Sequence, residues 1–327
     1  MAVFHSKDIS GNSFLVTGGA GFIGSHIVAY LLTNGAAKVR VLDDLSTGSK
    51  NNVELFRQYS RYEFLEGDIL DKGICISACE GIDYVTHQAA LGSVPRSVKD
   101  PVTTNEVNVG GFVNMISAAN YARVKTFVYA SSSSVYGDEP NLPKQEDRTG
   151  NLLSPYAVTK KTNELYAAVF GNLYGMKVAG LRYFNVFGPR QDPEGPYAAV
   201  IPLFINGILK QAPVYINGDG EQTRDFTFVE NAVQANIRAM LSDNDAAFGQ
   251  VYNVAVGANF TVNFLYNAIK NLLAADHQPI YREARAGDIR DSLADISKAR
   301  RLLQYEPTQQ FSEGLKLTVN YFKSVRK

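Results

Sequence analysis

A tyrosine and a lysine four positions apart, Tyr156 and Lys160, are the residues of this chain best suited to moving a proton. On a helix that spacing puts the phenol and the ammonium on one face. A free phenol titrates near 10, so it serves as a base at neutral pH only after a drop of roughly three units, about 4 kcal/mol. One ammonium ~4 Å away at an effective dielectric of about 20 supplies a comparable energy, so Lys160 is expected to pull Tyr156 down. Ser154-Pro155 reads as an N-cap and first helical residue, which adds the positive end of a helix. Upstream lies a run of hydroxyls, Ser131 to Ser134, of which Ser132 and Ser133 could hold an alcohol oxygen and relay its proton. Taken alone, the Tyr-Lys spacing also describes an ordinary surface helix pair.

Oxidising an alcohol to a carbonyl removes a hydride together with the proton, and Gly18-Gly19-Ala20-Gly21-Phe22-Ile23-Gly24 is suited to holding the hydride acceptor. Gly18, Gly21 and Gly24 allow a tight strand-to-helix turn, close approach of backbone amides to a pyrophosphate, and helix-on-sheet packing. The helix start adds partial positive charge. Asp43, nineteen residues beyond Gly24, is placed to accept from a ribose diol. With a carboxylate there and no adjacent basic residue, NAD is favoured over NADP. Asp68 and Ile69 are candidate partners of the adenine amine and ring face, or else a loop acid and a core residue. Ala89, Ala90 and Leu91 are small or apolar residues that let a cofactor lie close.

These residues need a scaffold. Short apolar runs at 14–17, 38–42, 62–65, 84–87, 126–130 and 178–182 read as strands, with a helix over 23–32 and further helical stretches between. Strands alternating with helices predict an α/β fold, a Rossmann-type doubly wound parallel sheet. After Asn185 the regularity loosens through Pro189, Pro193, Gly195, Pro196 and Pro202. The expected division is a dinucleotide-binding domain over 1–185 with a return segment 225–257. A smaller, loop-rich α/β substrate lobe then takes 186–224 and 258–327.

Bulk properties narrow the class. The chain has 327 residues, long enough for a sizeable core, and 45% are hydrophobic. Lys plus Arg and Asp plus Glu number 32 each, so no overall field favours nucleic acid. Cys75 and Cys79, with four histidines in the whole chain, complete no zinc pattern and read as reduced, packed thiols; no metal is expected. No apolar run of signal-peptide or membrane-span length occurs. The expectation is a cytoplasmic protein without nucleic-acid or membrane partners.

At these motifs the chain resembles the extended short-chain dehydrogenase/reductase superfamily, and within it the UDP-N-acetylglucosamine (UDP-hexose) 4-epimerase family. The stretches 87–97, 182–191 and 218–226 sharpen the likeness, which spans nearly the whole chain. The resemblance implies NAD, a UDP-sugar substrate and a homodimer pairing through helices, for which 112–119 and 165–173 are candidates, though core packing explains these apolar stretches equally well. It implies a 4-keto sugar that turns within the pocket before reduction on its other face. Phe22, Ile23 and Tyr183 would join the cofactor site. Ser93, Ser132, Ser133 and Asn185, with the amides near Ala199 and Val200, would contact substrate. Arg224 and Arg285 would grip the phosphates, unless they form surface ion pairs. Val214, Tyr215 and Ile216 would flank the uracil, and Asp288 the ribose. Ser292 falls where enzymes restricted to UDP-glucose and UDP-galactose carry a bulky Tyr, leaving room for a 2-acetamido group. Rival readings are a UDP-uronate 4-epimerase, a nucleotide-sugar 4,6-dehydratase, which lacks an acid in Ser132-Ser133-Ser134-Val135, and a non-catalytic NAD-binding sensor.

Overall fold

The computed structural model describes residues 2–194, 198–284 and 290–325. Its centre is a parallel sheet of β1 (Ser13–Thr17), β2 (Lys38–Asp43), β3 (Tyr62–Glu66), β4 (Tyr84–His87), β5 (Thr126–Ser132), β6 (Val178–Tyr183) and β7 (Gln250–Val254). The spatial order is β3-β2-β1-β4-β5-β6-β7, so the winding reverses between β1 and β4. Their ends align, with Thr17 opposite His87, and the loops that follow diverge to leave a crevice.

Alternation along the strands sends side chains into two separate cores. On one face Phe14, Val16, Val39 and Val41 pack with Ile27, Val28 and Leu31 of α1 (Phe22–Thr33). On the other, Leu15, Leu42, Val85 and Phe127 meet α2 (Lys72–Cys79) and α3 (Phe112–Tyr121), with Ala167 of α4 (Pro155–Tyr174). Cover on both faces is why β4 reads as an unbroken buried run. Cys75 and Cys79 lie unpaired in the second core, where burial pushes each thiol up to about 12.

A third core forms the smaller lobe. It joins Ile201, Phe204 and Ile205 of α5 (Val200–Leu209) to Leu265 and Ile269 of α7 (Val262–Leu273) and to Phe311 and Leu315 of α9 (Phe311–Ser324). Between these lie two-stranded pieces, such as Thr223–Arg224 against Phe260–Thr261 and Tyr215–Asn217 beside Ile280–Arg282. The return segment supplies α6 (Val229–Met240) and β7, and β7 pairs with β6.

Two stretches depart from the expected division: Phe226 and Phe228 of the return segment pack in the smaller lobe's core, and residues 294–305 go the other way. Ala294, Ile296, Ala299, Leu303 and Tyr305 belong to the sheet's core, not the smaller lobe. The reason is local amphipathicity: on α8 (Ser297–Leu303), Ala299 and Leu303 are the buried positions, one turn apart. Among the described residues no helix is long and apolar enough to cross a membrane, and no His, Cys, Asp or Glu group is placed to hold a metal.

Candidate active site

The turn after β1 fixes one wall of a cavity of about 310 Å3. Gly18 has φ +67°, and a Cβ there would lie 2.7 Å from the Ala89 amide nitrogen. A Cβ on Gly24 would collide with the Gly18 carbonyl oxygen. Only bare backbone therefore lets α1 start this close to the strand ends. No side chain caps α1 at Gly21, and Gly21, Phe22, Ile23 and Gly24 line the cavity. The opposite walls carry Asp43, Asp68, Ile69, Ala89, Ala90, Tyr156, Lys160 and Tyr183.

Asp43 is buried, and its two oxygens accept from Ala20 N and Leu45 N, both at 2.9 Å. Burial raises its pKa and these bonds oppose the rise. It thus holds the glycine loop in place while lining the cavity. Among the described lining residues Asp43, Asp44 and Asp68 are acidic, and the one fixed positive side chain is Lys160.

Ser154 caps α4 by accepting from Ala157 N at 3.1 Å, with Pro155 next, which puts Tyr156 in the first turn. Lys160 is 3% exposed; its Nζ donates to the Ala130 carbonyl at 2.9 Å and lies 5.8 Å from the Tyr156 ring centre. Burial lowers Lys160 to about 8. Tyr156 departs from the sequence expectation: burial raises the phenol, and the Ser132 hydroxyl offsets part of the rise. The ammonium is committed to the Ala130 carbonyl, while a phenolate here would lose its water.

Ser131 lines the cavity and donates to Glu164 Oε1 at 2.7 Å. Glu164 also accepts from Arg182 Nε and Nη2, each at 2.8 Å, in a buried bidentate pair. Ser132 Oγ accepts from Ser134 N at 3.1 Å and Ser134 Oγ at 2.9 Å, capping the turn Ser133–Tyr136. Ser132 and Ser133 line neither this cavity nor the next. His87, buried, bonds Thr17 Oγ1 at 2.8 Å, and burial lowers it to about 3, so it stays neutral. Tyr183 Oη donates to Gln88 Oε1 at 3.0 Å and accepts from Asn236 Nδ2 at 2.7 Å.

A second cavity, of about 280 Å3, opens in the smaller lobe and is lined by Asn185, Ala199, Val200, Tyr215, Ile216 and Arg224 among others. Arg224 Nη1 donates to the carbonyls of Thr223 (2.8 Å) and Arg290 (3.1 Å). Asn185 has φ +35°, and its Nδ2 donates to the Asp225 carbonyl at 3.3 Å. Val214 lies in the core instead, because it fills the space above Gly207 of α5, where a Cβ would meet its Cγ2 at 2.6 Å. Ser93 is an N-cap with φ +97°, its hydroxyl accepting from Arg96 N at 3.3 Å, and lines neither cavity. Ser292 is buried and also lines neither. Arg285 and Asp288 lie outside the described residues.

Two asparagines escaped the sequence reading. Asn108 brackets Leu91, accepting from its N–H at 2.7 Å and donating to its carbonyl at 3.1 Å. It sits in a π-helical turn, Glu106–Gly111, that carries Val107 into the cavity wall. Asn236 lies more than fifty residues from every partner it orients in that wall. A polar residue inside an apolar helix pattern was the available signal for the second; nothing local marked the first.

The chain matches the model of the NAD dependent epimerase/dehydratase family over residues 14–255 and belongs to that family. It is 39% identical over 312 residues to a putative UDP-glucose 4-epimerase of Methanocaldococcus jannaschii, covering 95% of this chain and 98% of the relative. A UDP-N-acetylglucosamine 4-epimerase of Methanobrevibacter ruminantium, solved with UDP-N-acetylmuramic acid, superposes with a TM-score of 0.91 at 41% identity, covering 96% of this chain and 99% of that one. A UDP-glucose 4-epimerase of Thermus thermophilus, solved with NAD, gives 0.85 at 36%, covering 95% and 99%. The cofactor of the family is NAD, and this cavity fits it. The cradle at Gly18 and Gly24 is one a Cβ would fill, the helix start is uncapped, and among the described residues no cation lines the cavity beside Asp43 to balance a 2′-phosphate.

Proposed function

We propose that this chain is a UDP-hexose 4-epimerase whose preferred pair is UDP-N-acetylglucosamine and UDP-N-acetylgalactosamine, with UDP-glucose and UDP-galactose as a second pair. The observation that carries this reading is Tyr156 with Lys160 on the wall of the dinucleotide cavity, beside a separate pocket presenting Arg224. In this reading Gly18, Gly21, Phe22, Ile23, Gly24, Asp43, Asp68, Ile69, Ala89, Ala90 and Tyr183 hold NAD. Bound NAD supplies a hydride acceptor and donor at the sugar C4 and a positive charge beside the phenol.

Tyr156 Oη takes the proton of the sugar 4-hydroxyl and returns it after the 4-keto sugar has turned. Ser132, whose hydroxyl acts on Tyr156, steadies the reacting oxygen, with Ser133 as its neighbour. At neutral pH Lys160, lowered to about 8 by burial, still carries most of its positive charge near the ring. Because burial alone raises the phenol, the drop it needs arises in the loaded site. Arg224 and Arg285 hold the diphosphate with Asn185 and the amides of Ala199 and Val200, since a guanidinium fork matches paired phosphate oxygens. Tyr215 and Ile216 flank the uracil, Asp288 the ribose, and Ser93 the sugar.

The support for the acetylated substrate is the small side chain of Ser292 where glucose-restricted members of the resembled family carry a Tyr; it is buried and lines neither cavity. A homodimer fits α4, which exposes Leu165, Val169 and Leu173 along one stripe; the other candidate, 112–119, has its apolar residues in the core. The reduced state of the two buried thiols fits a cytoplasmic protein. The test is incubation of purified protein with UDP-N-acetylglucosamine and, separately, UDP-glucose, without added NAD. Faster appearance of the acetylated 4-epimer supports the assignment. No conversion of either, even with NAD supplied, overturns it.

A further inference from the structure

Away from both cavities, a third hollow of about 400 Å3 lies where residues 4–7 pass the C-terminal end of α6 and the end of α8. Its lining holds three cations, Lys7, Arg238 and Arg301, and one carboxylate, Asp243. Lys7 takes that carboxylate at 2.5 Å. Among the described residues, Arg238 and Arg301 form no ion pair. The Nε of Arg238 is buried without an acceptor, and its Nη1 has one long bond of 3.4 Å to Gln304 Oε1. A half-buried guanidinium whose buried Nε has an unfilled donor, with its outer end open to the hollow, can serve an oxyanion. His5 lines the same hollow, its Nδ1 2.6 Å from Tyr30 Oη. Burial and the charge of Arg238 hold that imidazole below its ordinary value, against the opposing pull of Asp8.

We propose that this hollow binds a phosphate-type oxyanion, either free phosphate or a phosphate monoester, through Arg238 and Arg301. The hollow is lined by Ile237 and Arg238 of α6 and reaches α1 only through the His5–Tyr30 bond. Arg238 is two residues from Asn236 on α6, which bonds Tyr183, and Tyr30 is on α1, which begins at the glycine turn.

With four histidines in the chain, imidazole NMR of the full protein labelled with 13C-histidine is simple to assign, using His5→Gln for the signal that matters. Inorganic phosphate is titrated at constant ionic strength. The expected result is a saturable rise in the His5 titration midpoint, because a bound anion favours the imidazolium. Arg238→Gln and Arg301→Gln each weaken the phosphate response about tenfold or more. Arg301 is exposed, so its variant keeps the test informative if Arg238→Gln melts early. Arg224→Gln, in the other cationic pocket, leaves the response unchanged. Glucose 1-phosphate binding tighter than phosphate assigns the spare volume to a monoester; equal or weaker binding assigns the site to free phosphate. A shift that never saturates, or that survives in both Arg238→Gln and Arg301→Gln, overturns the proposal.

Discussion

The cofactor cavity and the pocket in the smaller lobe are made differently. The cofactor cavity is walled by turns at the ends of β1, β2, β4 and β5, strands held in register by neighbours on both sides. The pocket in the smaller lobe is walled by strands two or three residues long and by the start of α5. Backbone geometry does most of the shaping in the first, and side chains do most of it in the second. A fold of this kind can keep one cofactor while its substrate pocket varies, because changing a side chain in the short strands leaves the sheet ladder intact.

The hardest test of that contrast removes chemistry and spares both walls. Tyr156→Phe is expected to cut turnover about 10³-fold, some 4 kcal/mol, while NAD and UDP-sugar binding persist. Calorimetric binding alongside a 4-epimer assay checks it, and lost binding would recast Tyr156 as structural.

Asp225, which ties residues 256, 257 and 294 together, comes next. Asp225 is fully buried, accepting from Val256 N and Gly257 N at 3.1 Å and from Ala294 N at 3.2 Å, and burial raises it to about 6. Its pKa is higher folded than unfolded, so between about pH 4 and 6 the folded state keeps a proton that the unfolded chain has shed. This group's contribution to stability therefore falls as pH rises through that window, by about 3 kcal/mol in all. Urea unfolding of wild type and Asp225→Asn across pH 4–7 isolates the slope, and parallel curves would remove it.

Within the cofactor wall, Gly24→Ala forces its methyl against the Gly18 carbonyl. NAD affinity is expected to drop about a hundredfold, which is about 2.8 kcal/mol. In the side-chain-built pocket, Arg224→Gln is expected to raise the KM for UDP-sugar about tenfold with little change in kcat, the signature of lost ground-state binding. If Arg224→Gln instead dislodged NAD, the two pockets would not be separable. The smallest change is Ser292→Tyr, expected to shift the rate ratio of UDP-N-acetylglucosamine to UDP-glucose severalfold toward glucose.

Much of the first region was legible because its signals are local. The glycine spacing, the strand endings at Asp43 and His87 and the Ser154-Pro155 cap each act within a few residues. The second region was harder to read. Val214 looked like a wall residue beside Tyr215, yet it packs over Gly207. The 294–305 stretch looked like part of the smaller lobe, yet its two buried helix positions turn toward the sheet. Neither outcome follows from neighbours in sequence, since each depends on which distant surface is available to cover.

By itself the sequence determined the parallel α/β frame, the glycine turn and the pairing of Tyr156 with Lys160 on one helix face, because strand alternation, backbone freedom and helical spacing are short-range properties. Only the tertiary structure decided that Lys160 answers to the Ala130 carbonyl, that Asn108 brackets Leu91, that Asn236 orients Tyr183, and that Arg238 is left with an unfilled donor. Those are contacts between chain segments far apart in sequence, and the strength of a charge or a hydrogen bond depends on what burial has stripped from around it.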